Sequence, residues 1–250
     1  MMTSTNPDRA LRLAASFRDP SGFLFKQQGQ LYRQVNQIYQ PHYDHLMASG
    51  LYQQLVERGL LVQHQEVAMA APEPGLAYKV IQPELLAFIS YPYEWCFRML
   101  KAAALTTLTI QKMALQKGMT LKDSSAYNIQ FQHGRPLLID SLSFETYREG
   151  NPWVAYRQFC QHFLAPLALM AHADVRLNRL LALYVDGLPL ELTASLLPGR
   201  TRWNLGLNLH IHLHAAAQKR YANRAVKPGA ASAKMSRISF LGLIDSLEST

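Results

Sequence analysis

The sequence predicts an α+β chain in two lobes, a small β-rich one followed by a mostly helical one. Two observations carry that expectation. Before residue 92 the apolar runs are short and punctuated by Gly and Pro, as strands and turns are. From residue 94 to 117 neither Gly nor Pro occurs, and later apolar residues recur at three- and four-residue spacing. The expected divisions are a flexible arm at 1–16, a first lobe at 17–92, a helical lobe at 93–224, a linker at 225–236 and a last helix at 237–250.

The elements follow in order. SGFLFKQQGQLYRQVN places two apolar-rich runs around Gln28-Gly29, a hairpin signal. Pro41 suits the first turn of a helix running to about Arg58, with Gly59 as its C-terminal cap. The loop AMAAPEPG precedes a strand, LAYKVIQ, and a second apolar run, LLAFIS, reads as another. A long helix over 94–117 should stop at Gly118. Asn151-Pro152 reads as a helix start, with Trp153, Tyr156, Phe159, Cys160 and Phe163 on its apolar face and a kink near Pro166. Two further helices are expected over 174–186 and 189–197.

The residues AVKPGAASAKMS form a linker by composition. In the last helix Phe240, Leu243, Ile244 and Leu247 share a side with little left to pack against. That helix is therefore expected to join another domain or subunit.

Charge and cysteine usage narrow the function classes. The formal net charge of +8 comes from one stretch: Arg200, Arg202, Lys219, Arg220, Arg224, Lys227, Lys234 and Arg237 with no acid among them. The other 17 basic residues match the 17 acids. Residues 200–237 could therefore meet nucleic acid or another anionic ligand, or form a solvated helix face and tail. Cys96 and Cys160 lack metal-ligand spacing; both read as core residues of a chain from a reducing compartment. Asp8, Arg9, Arg12 and Arg18 do not resemble a signal peptide. No run approaches the roughly 18 apolar residues of a membrane span. A cytoplasmic protein with no membrane partner is expected.

The segment LKDSSAYNIQFQHGRPLLIDSLSFE holds the candidate chemistry. IQF and LLID flank His133-Gly134, a hairpin that would bring Asn128 near Asp140, with Asp123 in the turn before it. Two carboxylates and an amide oxygen suit Mg²⁺, which prefers hard oxygen ligands and phosphate co-ligands. In phosphoryl transfer of the kinase type, one Asp accepts a hydroxyl proton while an Asn and a second Asp hold the metal.

The spacing Asp123-x4-Asn128, strand, turn, strand, Asp140 resembles the catalytic loop and metal-binding Asp of the protein-kinase-like superfamily, including aminoglycoside-phosphotransferase-like enzymes. The resemblance implies a two-lobed fold with a hinge near Ser90–Tyr93. It also implies Asp123 as base, Asn128 and Asp140 as metal ligands, and Arg33 and Lys122 as phosphate contacts for ATP with Mg²⁺. The sequence departs from the pattern at Leu121-Lys122-Asp123, at Asp140-Ser141-Leu142, in having no GxGxxG loop, and in placing Arg33 where kinases place Lys. Glu57 lies at the far end of the first helix, leaving Asp44 as the other acid for a pair.

Longer strings, DPSGFLF, LYRQVN, ISYPYEW, LKDSSAYNIQF, LIDSLSFE, PWVAYRQFCQHFLAPLAL and HIHLHA, resemble the N-terminal region of bacterial class I SAM-dependent methyltransferases. None of the 13 glycines forms a GxG motif, so that resemblance implies SAM binding only through a domain beyond Thr250. Two readings follow. One is a Mg-nucleotide phosphotransferase; the other is an inactive kinase-like module that binds a substrate or partner for a downstream methyltransferase domain.

NLGLNLHIHLH leaves a smaller question. A strand would align His210, His212 and His214, and His-x-His is a metal spacing; a helix puts only His210 and His214 together. The neighbouring HAAAQKRYA favours helix. The aromatics of YPYEWCF read either as packing between lobes or as a purine-sized slot.

Overall fold

A computed structural model describes residues 11–13, 19–221 and 234–250. The fold is α+β, and the chain separates into two compact units. One comprises the described residues up to Ala87 together with Asp140–Leu142; the other comprises Phe88–Ile139 and Ser143–Thr250.

The first unit is built on a five-stranded antiparallel sheet in the order β1-β2-β3-β5-β4. Its strands are β1 (Leu11–Arg12), β2 (Gly22–Gln27), β3 (Gln30–Asn36), β4 (His64–Glu66) and β5 (Ala77–Pro83). The β2–β3 hairpin closes where the sequence places it, with Gln28 at φ 50° and Gly29 at φ 78°. Two consecutive left-handed residues match the right-handed twist of the strands. Gly22 is required for another reason: a Cβ there would lie 2.1 Å from the Gln34 carbonyl oxygen. Leu11 and Arg12 pair with β2, so part of the expected arm is an edge strand. Leu13 continues this edge by donating its N–H to the Leu24 carbonyl, and residues 1–10 and 14–16 of that arm lie outside the described residues.

Two short helices replace the single one expected to Arg58. Helix α1 (Gln40–Ala48) ends at Ser49, and α2 (Leu51–Glu57) begins after Gly50, whose φ of 73° breaks the helical path. Gly59, at φ 66°, closes α2 as its spacing predicts. Val35, Tyr39, Tyr43, Ile81 and Leu142 form one apolar cluster, while Phe23, Phe25 and Val80 form another. The run LLAFIS is not a strand: Glu84 donates its N–H to the Gln63 carbonyl, β5 has ended at Pro83, and Leu85 and Phe88 are exposed. Apolarity alone did not supply a ladder partner.

The second unit centres on α3 (Phe97–Gln116), which begins three residues later than expected and ends before Gly118 at φ 71°. It buries Leu100, Ala103, Ala104, Thr107, Leu108, Gln111, Ala114 and Leu115, a stripe at helical spacing. Strand β6 (Met119–Leu121) pairs with β9 (Phe144–Thr146), and β7 (Ile129–Gln132) pairs with β8 (Arg135–Leu138) across His133 and Gly134, both at positive φ.

Asn151-Pro152 does not start a helix. Gly150 bridges to Met235, the Trp153 indole donates to the Leu121 carbonyl, and a turn at Val154 and Ala155 precedes α4 (Tyr156–Phe159). A widened π turn, Cys160–Leu164, leads into α5 (Ala165–His172), and the chain stays helical through Pro166. There the Ala165 N–H bonds to the Cys160 carbonyl, an i→i+5 step just ahead of a residue with no N–H to give. A tight 3₁₀ helix, Val175–Ala182, occupies the core of the expected 174–186 helix, capped by Asp174, and α6 (Leu190–Leu196) follows.

The His-rich segment is helical: α7 (Leu205–Leu207), a π segment (Asn208–Leu213) and α8 (His214–Tyr221). Residues 222–233, most of the expected linker, lie outside the described residues. Helix α9 (Arg237–Ser249) does not present a bare apolar face. Phe240, Ile244 and Leu247 are buried within this unit, Phe240 lying against Tyr147 and Trp153. Lys112 of α3 pairs with Asp245 (2.7 Å) and Glu248 (2.6 Å).

Candidate functional site

In the first unit, β3 carries Arg33 into a nearly buried position between two carboxylates. Its Nη1 donates to Asp140 Oδ1 at 2.5 Å and its Nη2 to Asp140 Oδ2 at 3.4 Å, while Nη2 also donates to Asp19 Oδ2 at 3.2 Å. A guanidinium fork fits a carboxylate in this two-point way, and burial strengthens the attraction. The arrangement is fixed from both sides. Leu142, in the apolar cluster with Val35 and Ile81, donates its N–H to Asp140 Oδ1 at 2.8 Å. Asp19 Oδ1 accepts from the Ser21 N–H at 2.9 Å. The Arg33 Nε is buried and has no hydrogen-bond partner among the described residues.

The structure thus brings together two of the residues singled out by sequence, Arg33 and Asp140, and adds Asp19. Asp44 is not the acid that pairs with Arg33; it accepts from Tyr78 Oη at 2.6 Å. Glu57 accepts from Gln53. Asp19 was missed, although the turn-forming Asp-Pro-Ser-Gly at 19–22 is the kind of signal that could have marked it.

A second polar group in this unit was also not anticipated. The buried Tyr43 hydroxyl donates to Glu66 Oε1 at 3.1 Å and meets His64 Nε2 at 3.1 Å. Lys79 pairs with Glu66 and lies over the Tyr43 and Tyr78 rings, 5.7 and 5.5 Å from their centroids. Burial pushes the Tyr43 hydroxyl well above its ordinary range and holds His64 down at about 4.

In the second unit, Asp123 serves its own loop. Its Oδ1 accepts from the Ser125 N–H at 2.9 Å, and Ser125 Oγ accepts from the Tyr127 N–H at 3.2 Å. Ser124 is tied down further, its N–H donating to Gln158 Oε1 and its hydroxyl to the Ala155 carbonyl. Asn128 accepts the Ile139 N–H through its carbonyl at 2.8 Å and reaches Ser143 Oγ with its side-chain amide at 3.4 Å. The Lys122 N–H donates to the Ser143 carbonyl. His162 is fully buried, and burial holds it at about 4 against the opposing charges of Asp123 and Asp186.

The remaining candidates are engaged individually. His210 meets Tyr156 Oη at 2.8 Å and Ser246 Oγ at 3.0 Å, while His212 meets Thr201 Oγ1 at 2.9 Å. His214 lies edge-on to the Tyr156 ring. Among the described residues no group of three or more His, Cys, Asp or Glu is arranged to hold a metal ion. Cys160 is buried, its thiol pushed up to about 12 by burial, but Cys96 is exposed at the start of α3 rather than in the core. In YPYEWCF, Trp95 is buried and donates to Ser90 Oγ, and Tyr91 stacks on Tyr93 at 5.4 Å.

As a ligand for Mg²⁺, Asp140 does not fit as it stands. A cation already holds both of its oxygens, and a metal would have to displace it.

No family model matches the chain. It is similar to Nodulation protein NoeA of Rhizobium meliloti (strain 1021), 37% identical over 209 residues. The match takes in 83% of this chain and 44% of that protein, so the chain spans less than half the length of this curated relative.

Proposed function

We propose that the chain is a kinase-like module without phosphotransferase activity, serving as a binding domain of a longer protein. The observation that carries this reading is the two-point pairing of Arg33 with Asp140. In a working phosphotransferase the acid at this place binds the metal, and the basic residue on the strand binds phosphate. Here the two neutralise each other. Asp123 and Asn128 support the same reading, since Asp123 spends a hydrogen bond on its own loop and the Asn128 amide is turned to the Ser143 hydroxyl.

The strings resembling the N-terminal region of SAM-dependent methyltransferases supply the context. The module would hold a substrate or partner for a methyltransferase domain elsewhere in such a protein, and SAM would bind there. The phosphotransferase reading, with ATP and Mg²⁺, keeps one supporting observation, the Asp123-x4-Asn128 spacing.

Thermal unfolding with millimolar ATP and Mg²⁺ separates the two. The expected result is no shift in Tm for the wild type, because a ligand that does not bind the native state does not stabilise it. A Mg²⁺-dependent rise that disappears in Asp140→Asn would overturn the inactive reading.

A further inference from the structure

The helical run from Leu205 to Tyr221 has two sides of unlike character. Leu207, His210, Ile211 and Ala215 are buried. On the other side, Leu205 is 86% exposed, Leu209 51% and Leu213 55%, one per turn at four-residue spacing. Trp203, immediately ahead of them, is 88% exposed. A single exposed leucine needs no explanation, but a Trp and three leucines in one stripe do.

The charge along this stretch of the sequence is one-sided, while acids on neighbouring elements, Asp245 and Glu248 of α9, are paired with Lys112. Arg200 and Arg202 are exposed beside Trp203, and the sequence from 200 to 237 has eight basic residues and no acid. Arg224 and Lys227 lie outside the described residues, as do the side chains of Lys219 and Arg220.

We propose that this face binds the surface of an anionic lipid bilayer. The leucines would enter the acyl boundary, Trp203 would sit at headgroup level, and the arginines would meet lipid phosphates. Binding would be peripheral, since no helix among the described residues is long and apolar enough to cross a membrane.

Two other occupants fit less well. A second copy of the same face would bring like charges together, which opposes association. A nucleic acid would satisfy the arginines but leave the three leucines in water, because its recognition surfaces rely on phosphate contacts and aromatic stacking.

The test is flotation of the full chain with vesicles of equal parts phosphatidylcholine and phosphatidylglycerol, beside vesicles of phosphatidylcholine alone. Tryptophan emission supplies a second readout, because Trp95 and Trp153 are buried and Trp203 is not. Flotation with the anionic vesicles only is expected, accompanied by a blue shift and weakened by raising salt to about 0.5 M. Leu205→Glu with Leu209→Glu alters exposed positions, and circular dichroism checks that the variant folds. It should lower the bound fraction at least about tenfold. Three results would each overturn the proposal. They are no flotation at low salt, flotation undiminished in the variant, and binding to RNA or heparin without vesicle binding. Dimerisation that the variant abolishes, with no vesicle binding, would likewise assign the stripe to a second copy.

Discussion

Asp140 in the first unit and Asp123 in the second are the same residue type in one short stretch of sequence, yet their environments differ in kind. Asp140 is neutralised by a nearly buried guanidinium from a strand 107 positions away in sequence. Asp123 receives a backbone N–H from two residues along its own loop. One carboxylate joins distant parts of the chain, and the other shapes a local turn. An acidic residue's role therefore depends on which donor reaches it first, a fixed cation or the neighbouring backbone.

The contrast can be broken most directly by Asp140→Ala. This change leaves Arg33 nearly buried with only Asp19 opposite it and removes the acceptor for the Leu142 N–H. A loss of about 3 kcal/mol is expected in urea denaturation, because removing one member of a buried pair strands the other charge. A loss below about 1 kcal/mol would mean that water or Asp19 compensates Arg33 and that the pair does not fix the segment.

Acidification compares the units through their buried histidines, His64 in the first and His162 in the second. Both are held at about 4 by burial, below the ordinary 6.5. Between those values the unfolded chain takes up protons that the folded chain refuses. Stability is therefore full above pH 6.5 and falls as pH is lowered toward 4. At about 1.4 kcal/mol per pH unit, going to pH 5 should remove about 2 kcal/mol for each histidine. Urea midpoints for His64→Gln and His162→Gln at pH 7 and pH 5 check this. Each variant should flatten the pH dependence by its own share, and an unchanged slope would count against a buried neutral ring.

The smallest effect sharpens the comparison from the other side. Asp123→Ala removes one side-chain bond to a backbone N–H and should cost about 1 kcal/mol, since the freed Ser125 N–H can turn to water. If Asp123→Ala destabilised as much as Asp140→Ala, the division between local and long-range acids would fail.

Much of the fold was legible because it is local. Gln28-Gly29 and His133-Gly134 announce their hairpins through residues that accept positive φ, and Gly59 and Gly118 end their helices for the same reason. The errors share a cause as well. LLAFIS has the apolarity of a strand but no ladder partner among the described residues; Asn151-Pro152 has the residues of a helix start, yet the flanking Gly150 and Trp153 bond to Met235 and Leu121 and the helix begins only at Tyr156. The 40–58 helix breaks because Gly50 adopts the left-handed conformation its sequence position merely permits.

The candidate site divides along the same line. Sequence alone singled out candidate polar residues and many of the local turns and helices that present them. It marked Arg33, Asp123, Asn128 and Asp140, and the helical spacing that gives α9 its apolar side. Tertiary structure decided who meets whom: that Arg33 takes Asp140 and Asp19 rather than Asp44, that Lys112 takes Asp245 and Glu248, and that Phe240 lies against Tyr147 and Trp153. Periodicity and turn chemistry act over a few residues and can be read along the chain. Charge pairing and burial act through space, between positions whose separation in sequence carries no record of their contact.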